Sequence, residues 1–398
     1  MTPFFLEACA IALWVSLAML AYTIVAYPLL IAALAKIRAR RVHARSIEPF
    51  VSVVIAAHNE EARIARKVAN VLALRHPAHL IEVLVGSDGS TDRTADIVRA
   101  ISDARVRVFD FPERRGKPAI LNALVPAASG EIVLLADVRQ MFHPKLLASL
   151  LPPFGDASVG AVSGELVFTE TGDSTSIATG AGAYWKYEKF MRTSESRVHS
   201  TSGATGAVYA IRKELFTPIP EDTLLDDVLI PMQIVRRGFR VLLENGALAF
   251  DVPAARGADE FTRKVRTLAG NFQLFSREPW MLVPFVNPIC WQTVSHKVLR
   301  LVMPLFQVTA FAANVVLARH AAGYATLLTA QLAFYAAALI GSALRDGSGV
   351  ARLFSLPYMF SLLSWATVVA FARWLSGAQS VIWTQAGTVA ATAPERRS

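Results

Sequence analysis

From Ala8 to Ala35 the chain runs 28 residues without one charged side chain. A helix rises 1.5 Å per residue, so about 20 apolar residues cross the hydrocarbon core of a bilayer. Helices buried in soluble proteins seldom run so long without a charge. Three further uncharged runs lie near the end of the chain: Leu301–Ala318 with 18 residues, Ala321–Leu344 with 24 and Leu353–Ala372 with 20. All four reach spanning length, the second narrowly. Composition agrees. Of 398 residues, 54% are hydrophobic and 18% charged, with a mean hydropathy of +0.40, against about 25% charged in soluble domains. A disordered chain, a collagen and a simple soluble enzyme are excluded.

The first run reads as a retained anchor, not a cleaved signal. Glu7 is the only charge before it, and the apolar stretch is too long for a signal peptide. Lys36, Arg38, Arg40, Arg41 and Arg45 follow at once. By the positive-inside rule they hold the next domain in the cytoplasm, with the N-terminus outside, in the cell's inner (plasma) membrane. The loop with Arg345 and Arg352 then falls inside, and the tail with Glu395, Arg396 and Arg397 outside. The net charge of +9 suits anionic lipid headgroups and an anionic substrate. No nucleic-acid motif is present. Cys9 and Cys290 have no metal-ligand spacing and no reason to pair.

Between residue 49 and about 256, short β-rich runs alternate with helical ones. Phe50–Ala57 is continuously apolar, as a strand buried on both faces must be. Glu60–Leu74 has helical spacing. Ile81–Val85, Val106–Phe109 and Ile132–Ala136 read as further strands, with helices at Thr91–Ile101 and Pro118–Ala128. Strands and helices alternating at this spacing predict a parallel α/β sheet, whose ligands sit at the carboxyl ends of the strands. There the chain carries His58, Asn59 and Glu60, then Asp88 and Ser90, then Asp137, with Lys117 opening a helix. Carboxylates and a lysine on one rim fit a nucleotide with a divalent cation. Taken singly, Asp88-Gly89 is an ordinary turn pair, and Asn59 or Ser90 an ordinary helix cap.

The ordered series His58-Asn59-Glu60-Glu61, Ser87-Asp88-Gly89-Ser90-Thr91-Asp92, Gly116-Lys117 through Asn122, and Leu135-Ala136-Asp137 resembles the family-2 glycosyltransferases, which include cellulose, chitin and hyaluronan synthases. The resemblance covers about residues 49–275. It implies a GT-A catalytic domain, an α/β sheet that binds nucleotide sugars. It implies that Glu60 and Asp88 contact the nucleoside, that Lys117 lies near the nucleotide, and that Asp137 is the first Asp of D-x-D, which holds the sugar nucleotide and Mg²⁺ or Mn²⁺. The chain departs here: the second Asp is Arg139. Either Asp137 and the phosphates hold the ion alone, or Arg139 supplies positive charge as a phosphate clamp.

Thr201 through Gly203 and Gly206 to Tyr209 resembles the small-residue segment beside the donor sugar and acceptor. Leu225-Asp226-Asp227 stands where the family has T-E-D, which makes Asp227 the expected general base with Asp226 beside it. An acceptor hydroxyl needs a carboxylate to take its proton as the bond forms. Capping the following helix is the structural alternative. In place of the family's Q-x-x-R-W the chain has Arg263, Arg266 and Thr267. Arg266 is the retained arginine, expected near the diphosphate or acceptor, and the missing Trp removes a stacking platform. Trp185 is a substitute platform or a core aromatic. Phe261, Val265, Leu268, Phe272 and Phe275 recur at helical spacing with Arg263, Lys264 and Arg266 between them. They predict an amphipathic helix, either at the membrane face or packed on the core.

The resulting organisation is an anchor and basic segment over 1–48, the GT-A domain over 49–256, an amphipathic interfacial segment over 257–296, three membrane helices over 297–377 and a tail over 378–398. The expected reaction is inverting transfer from a nucleotide sugar, a UDP-sugar by resemblance, to a lipid-linked or glycan acceptor, giving a β-linkage. A processive polysaccharide synthase with export is the alternative. The uncharged runs contain no Asp, Glu, Lys or Arg, which leans toward short acceptors. From another class, a non-catalytic scaffold with a degenerate transferase domain is argued by the lost aspartate. An oligomer is compatible with the sequence.

Overall fold

The computed structural model describes residues 2–168, 176–252, 257–344 and 349–380. Eight strands form one sheet: β1 (Val51–Ala57), β2 (Ile81–Asp88), β3 (Val106–Phe111), β4 (Ile132–Ala136), β5 (Met141–Phe142), β6 (Val159–Phe168), β7 (Val208–Arg212) and β8 (Arg240–Asp251). Their order is β3-β2-β1-β4-β7-β6-β8-β5. The half read from sequence, β3-β2-β1-β4, is parallel. At β4 the direction reverses: β7 pairs antiparallel to β4 and to β6. The sheet is therefore mixed, and β7 starts beside the end of β4, Val208 opposite Ala136, so the segment before it lies at that rim.

All seven residues of β1 are buried. Successive side chains point to opposite faces. Val51, Val53, Ile55 and Ala57 pack with Ile64, Val68 and Val71 of one helix, while Val54 and Ala56 pack on the other face with Ile120 and Leu124. Two helical layers thus explain why the run shows no polar alternation.

Among the described residues, four helices are long and apolar enough to cross a membrane: Pro3–Ile37, Cys290–Leu317, Ala322–Ala343 and Phe354–Leu375. The first packs on the second through Leu13, Ala310, Ala313 and Leu317. Gln307 Nε2 donates to Ser364 Oγ at 2.8 Å, and the Asn314 and Gln331 amides meet at 2.7 Å. These bonds satisfy polar groups between helices, where hydrocarbon offers no partner. The second membrane-length helix starts at Cys290, earlier than its uncharged run, and so includes His296, Lys297 and Arg300. Cys9 and Cys290 are free thiols.

The helix Ser176–Val198 joins the membrane helices to the sheet. Tyr27 Oη donates to Glu195 Oε1 at 2.5 Å. The His296 ring bonds Glu195 at 2.8 Å and Glu188 at 3.0 Å, and Arg300 pairs with Glu188. Each buried carboxylate has partners, as burial demands.

The helix Gly257–Arg277 carries the predicted apolar stripe. That face is covered by the last membrane-length helix: Val265 and Ala269 are fully buried against Ala366 and Ala370, and Phe272 stacks on Trp374. Phe275 turns to the sheet's own core. The helix is a wedge between catalytic domain and membrane helix, which periodicity cannot distinguish from a helix facing lipid.

Candidate active site

The predicted rim residues sit at the ends of β1, β2 and β4, side by side in the sheet. His58 Nδ1 bonds the Asp88 carbonyl at 2.6 Å. Asn59 takes a left-handed φ of 53°, which asparagine tolerates better than most residues, and its Oδ1 accepts from Thr91 N at 2.8 Å. Glu60 is buried, with its carboxylate on Arg63 at 3.1 Å and its N–H on Thr94 Oγ1 at 2.8 Å. Asp88 accepts from Arg115 N at 2.7 Å and Gly116 N at 2.9 Å. Charge-assisted bonds of this kind are the strong ones. In this arrangement Asp88 fastens the loop that delivers Lys117.

Lys117 is the hub. Its Nζ lies 2.9 Å from Asp137 Oδ1 and 3.3 Å from Asp226 Oδ2, and donates to the Gly206 carbonyl at 3.4 Å. Burial alone would lower its pKa. The carboxylates of Asp137 and Asp226, with Asp227, outweigh burial and raise it, so the ammonium stays charged.

Asp226 and Asp227 open the helix Asp226–Arg236, where the macrodipole favours negative charge. Their environments differ. Asp226 is buried and paired with Lys117. Asp227 is half-buried. Burial and the adjacent Asp226 charge push its pKa up to about 6, against the pull of Lys117 and Lys297. The pair was legible in the sequence.

The small-residue segment lies directly against Asp227. Ala204 N donates to the Asp227 carbonyl at 2.7 Å, and Gly203 holds a φ of 144° that L side chains rarely adopt. A Cβ on Gly206 would stand 2.9 Å from Asp227 Oδ2. Gly206→Ala is therefore expected to displace the carboxylate and cut kcat by about 10- to 100-fold, with little change in thermal stability. Steady-state kinetics beside a melting curve checks this.

Arg139 follows Asp137 in the loop after β4. Its Nη2 lies 2.5 Å from Asp251 Oδ2, a buried carboxylate that Gln140 Nε2 also bonds at 2.9 Å. Beneath the loop, Lys67 is fully buried, donates to the Gln140 carbonyl at 2.7 Å and lies over the Phe142 ring. Burial lowers its pKa to about 7, though Asp137 opposes. Among the described residues no group of three His, Cys, Asp or Glu could hold a metal. The Asp137 side chain is 41% exposed with one oxygen on Lys117. One accessible carboxylate fits a Mg²⁺-type ion that draws its other ligands from substrate phosphates and water.

Arg263 and Arg266 stand on the helix Gly257–Arg277. One turn beyond Arg266, Gly270 meets the loop before the catalytic pair: a Cβ there would lie 2.5 Å from Leu225 Cγ. Gln273 closes the same contact, accepting from Leu224 N at 2.9 Å and donating to the Asp222 carbonyl at 2.8 Å. Trp185 is half-buried, edge-on to Phe168 at 5.3 Å, with Lys264 over its ring.

Two cations near Asp227 escaped the sequence reading. Arg192 donates to Thr205 Oγ1 at 3.1 Å, Ser163 Oγ at 3.2 Å and the Gly203 carbonyl at 3.4 Å, which holds the Gly203–Gly206 segment. Lys297, from the second membrane-length helix, lies within electrostatic reach of Asp227 and Arg192. Lys297 was legible only as a charge ahead of an apolar run.

A clamped lysine among carboxylates, at the carboxyl ends of such a sheet, is an arrangement suited to a phosphorylated ligand. Residues 49–277 match the family model described as glycosyltransferase like family 2, and the chain belongs to that family. Over 118 residues it is 34% identical to the beta-monoglucosyldiacylglycerol synthase of Nostoc sp., covering 29% of this chain and 25% of that one. Over 234 residues it is 22% identical to the poly-beta-1,6-N-acetyl-D-glucosamine synthase of Staphylococcus aureus, 57% and 56% of the two chains. The chain thus spans about a quarter to a half of the length of these relatives. Among solved structures, the mannosyltransferase PcManGT of Pyrobaculum calidifontis, in complex with GDP-Man and Mn²⁺, has a TM-score of 0.70 at 23% identity, covering 93% of this chain and 99% of that one. That likeness is one of fold, and it makes the architecture GT-A with one N-terminal and three C-terminal membrane-length helices.

Proposed function

We propose that the protein is an inverting transferase that moves a sugar from a nucleotide sugar, a UDP-sugar by family resemblance, to a lipid-linked or short glycan acceptor. The catalytic domain works at the cytoplasmic face of the inner membrane. The observation that carries this reading is the position of Asp227: half-buried, raised in pKa, and faced by Lys297 from a membrane-length helix. A base so placed receives its acceptor from the membrane side.

The acceptor oxygen attacks the anomeric carbon as the bond from that carbon to the diphosphate oxygen breaks, and the acceptor's proton passes to Asp227. Lys117 meets the charge gathering on the departing diphosphate, a preorganised cation of the kind that lowers such barriers. Arg266, on the wedge helix, is the family's retained arginine and a second candidate for that charge. A divalent cation, when bound, would be held by Asp137 and would neutralise the same diphosphate. Glu60 and Asp88 would bound the nucleoside, Asp88 through the loop it fastens. Transfer is expected to stop in EDTA and return with Mg²⁺ or Mn²⁺.

The base must be ionised to act. With Asp227 raised to about 6, kcat/KM is expected to rise about tenfold per pH unit below that value and level off above it. A profile between pH 4.5 and 8.5 measures this.

Gln307 with Ser364 and Asn314 with Gln331 bond each other between the membrane helices, which favours addition to a lipid or short glycan over export of a long chain. Labelled donor, supplied to membranes with native lipid extract, should yield a product of one or a few sugars on a sizing gel. A broad polymer ladder would sink that reading and establish a processive synthase.

A further inference from the structure

Helix Ser176–Val198 presents two opposite faces. Glu188, Arg192 and Glu195 recur at helical spacing and face His296, Arg300 and the Gly203–Gly206 segment. At 100° per residue, Lys186, Lys189, Phe190 and Arg197 fall on the other side. Between that side and the end of the anchor helix lies a groove of about 390 Å³, within the range of small-ligand sites. Its floor includes Ala32 of the anchor and Phe190, which is 45% exposed. Lys36, Lys186, Lys189 and Arg197 line it. Lys189 is paired with Glu165 at 2.5 Å. Among the described residues, Lys36, Lys186 and Arg197 have no carboxylate partner. The wall is fixed to the segment after the anchor, because Arg40 N donates to the Arg197 carbonyl at 2.8 Å.

We infer that this groove binds an anionic phospholipid from the surrounding bilayer. Lys36 is the first charge after the anchor's apolar run, which sets the groove at the level where phosphates lie. The three uncommitted cations match a headgroup phosphate with a second negative charge or an acidic polyol. The apolar floor along the anchor suits the start of an acyl chain. A phosphodiester with no net charge lacks that match, because its choline or ethanolamine would meet the same cations. The groove lies on the face of the helix turned away from Asp227, so its occupant is a bound lipid and not the acceptor. The inference rests on the anchor crossing a membrane and not on the proposed transfer reaction.

Native mass spectrometry of the full chain in detergent tests it, with phosphatidylglycerol, phosphatidylcholine of the same chains, a polyprenyl phosphate and inorganic phosphate as separate probes. A cation near the surface contributes about 1 kcal/mol to anionic-lipid binding, or about fivefold. The wild type should retain phosphatidylglycerol over phosphatidylcholine by at least about that factor, and Lys36→Gln/Lys186→Gln/Arg197→Gln should bring the ratio to about one. Arg66→Gln/Arg75→Gln/Arg93→Gln, which removes the same charge from exposed catalytic-domain positions, should keep the preference. An unchanged ratio in the groove variant, or an equal loss in the control, would overturn the site. So would a preference for polyprenyl phosphate with phosphatidylglycerol at the phosphatidylcholine level, which would make the groove a substrate site. Should the triple variant fail to fold, Lys186→Gln and Arg197→Gln singly are each expected to lower the ratio severalfold.

Discussion

Asp227→Asn is expected to lower the transfer rate by about 10³-fold, within the range for loss of a positioned general base, while donor binding stays unchanged. The substitution keeps the size of the side chain and its place against Gly206, but an amide cannot accept the acceptor's proton. About 10³-fold corresponds to roughly 4 kcal/mol of transition-state stabilisation. The neighbouring position should behave differently. Asp226 is committed to Lys117 at 3.3 Å, so Asp226→Asn loosens the lysine and should weaken donor affinity more than it slows the chemical step. Single-turnover rates at saturating donor, with calorimetric titration of the donor diphosphate, separate the two. Equal losses in both quantities for both variants would mean that the pair acts as one unit and that the division drawn from burial is wrong.

Lys117→Met carries the second large effect, on stability as well as activity. The substitution removes the cation from among Asp137, Asp226 and Asp227. Breaking a buried ion pair on one side costs about 3–5 kcal/mol, because the partner charge is left uncompensated. Arginine should not rescue it, since a planar guanidinium does not fit a pocket built around a point charge. The pH dependence identifies the cause. In the variant the carboxylates repel while ionised and are relieved when protons return, so its deficit against wild type should be largest at neutral pH and shrink as pH falls toward 5. The wild type holds Lys117 charged across that window, its pKa being raised. Melting curves at several pH values supply the test, and a pH-independent deficit would show that Lys117 acts only through its packing.

The parallel half of the sheet was legible because β1 is apolar at every position and lies between strands whose ends carry the polar residues. The rule that ligands gather at those ends drew Lys117 and Asp137 together, 20 residues apart, and the family resemblance added Asp227, 90 residues further on. What escaped was decided by packing between distant segments. In sequence Arg139 reads as a candidate phosphate clamp, and its ion pair with Asp251, 112 residues later, has no local signal. Asp88 reads as a nucleoside contact or half of a turn pair, and only the backbone N–H groups of Arg115 and Gly116 show what it holds. Neither Arg192 nor Lys297 belongs to a motif, and only the fold brings them within electrostatic reach of Asp227. The stripe from Phe261 to Phe275 gave a correct face without saying what covers it, since a membrane helix and a lipid make the same demand on sequence. The mixed half, with β7 antiparallel to β4 and β6 and β8 parallel to β6, left no comparable signature.

Nucleoside diphosphate release tests the central claim most directly. Membranes carrying the wild type or Asp227→Asn are supplied with UDP- and GDP-sugars, native lipid extract, and Mg²⁺, Mn²⁺ or EDTA. Release from one donor by the wild type, dependent on the divalent cation and absent in the variant, is the expected result. Release that persists in Asp227→Asn would contradict the assignment of the base, and silence with every donor would favour a membrane scaffold built on a transferase fold.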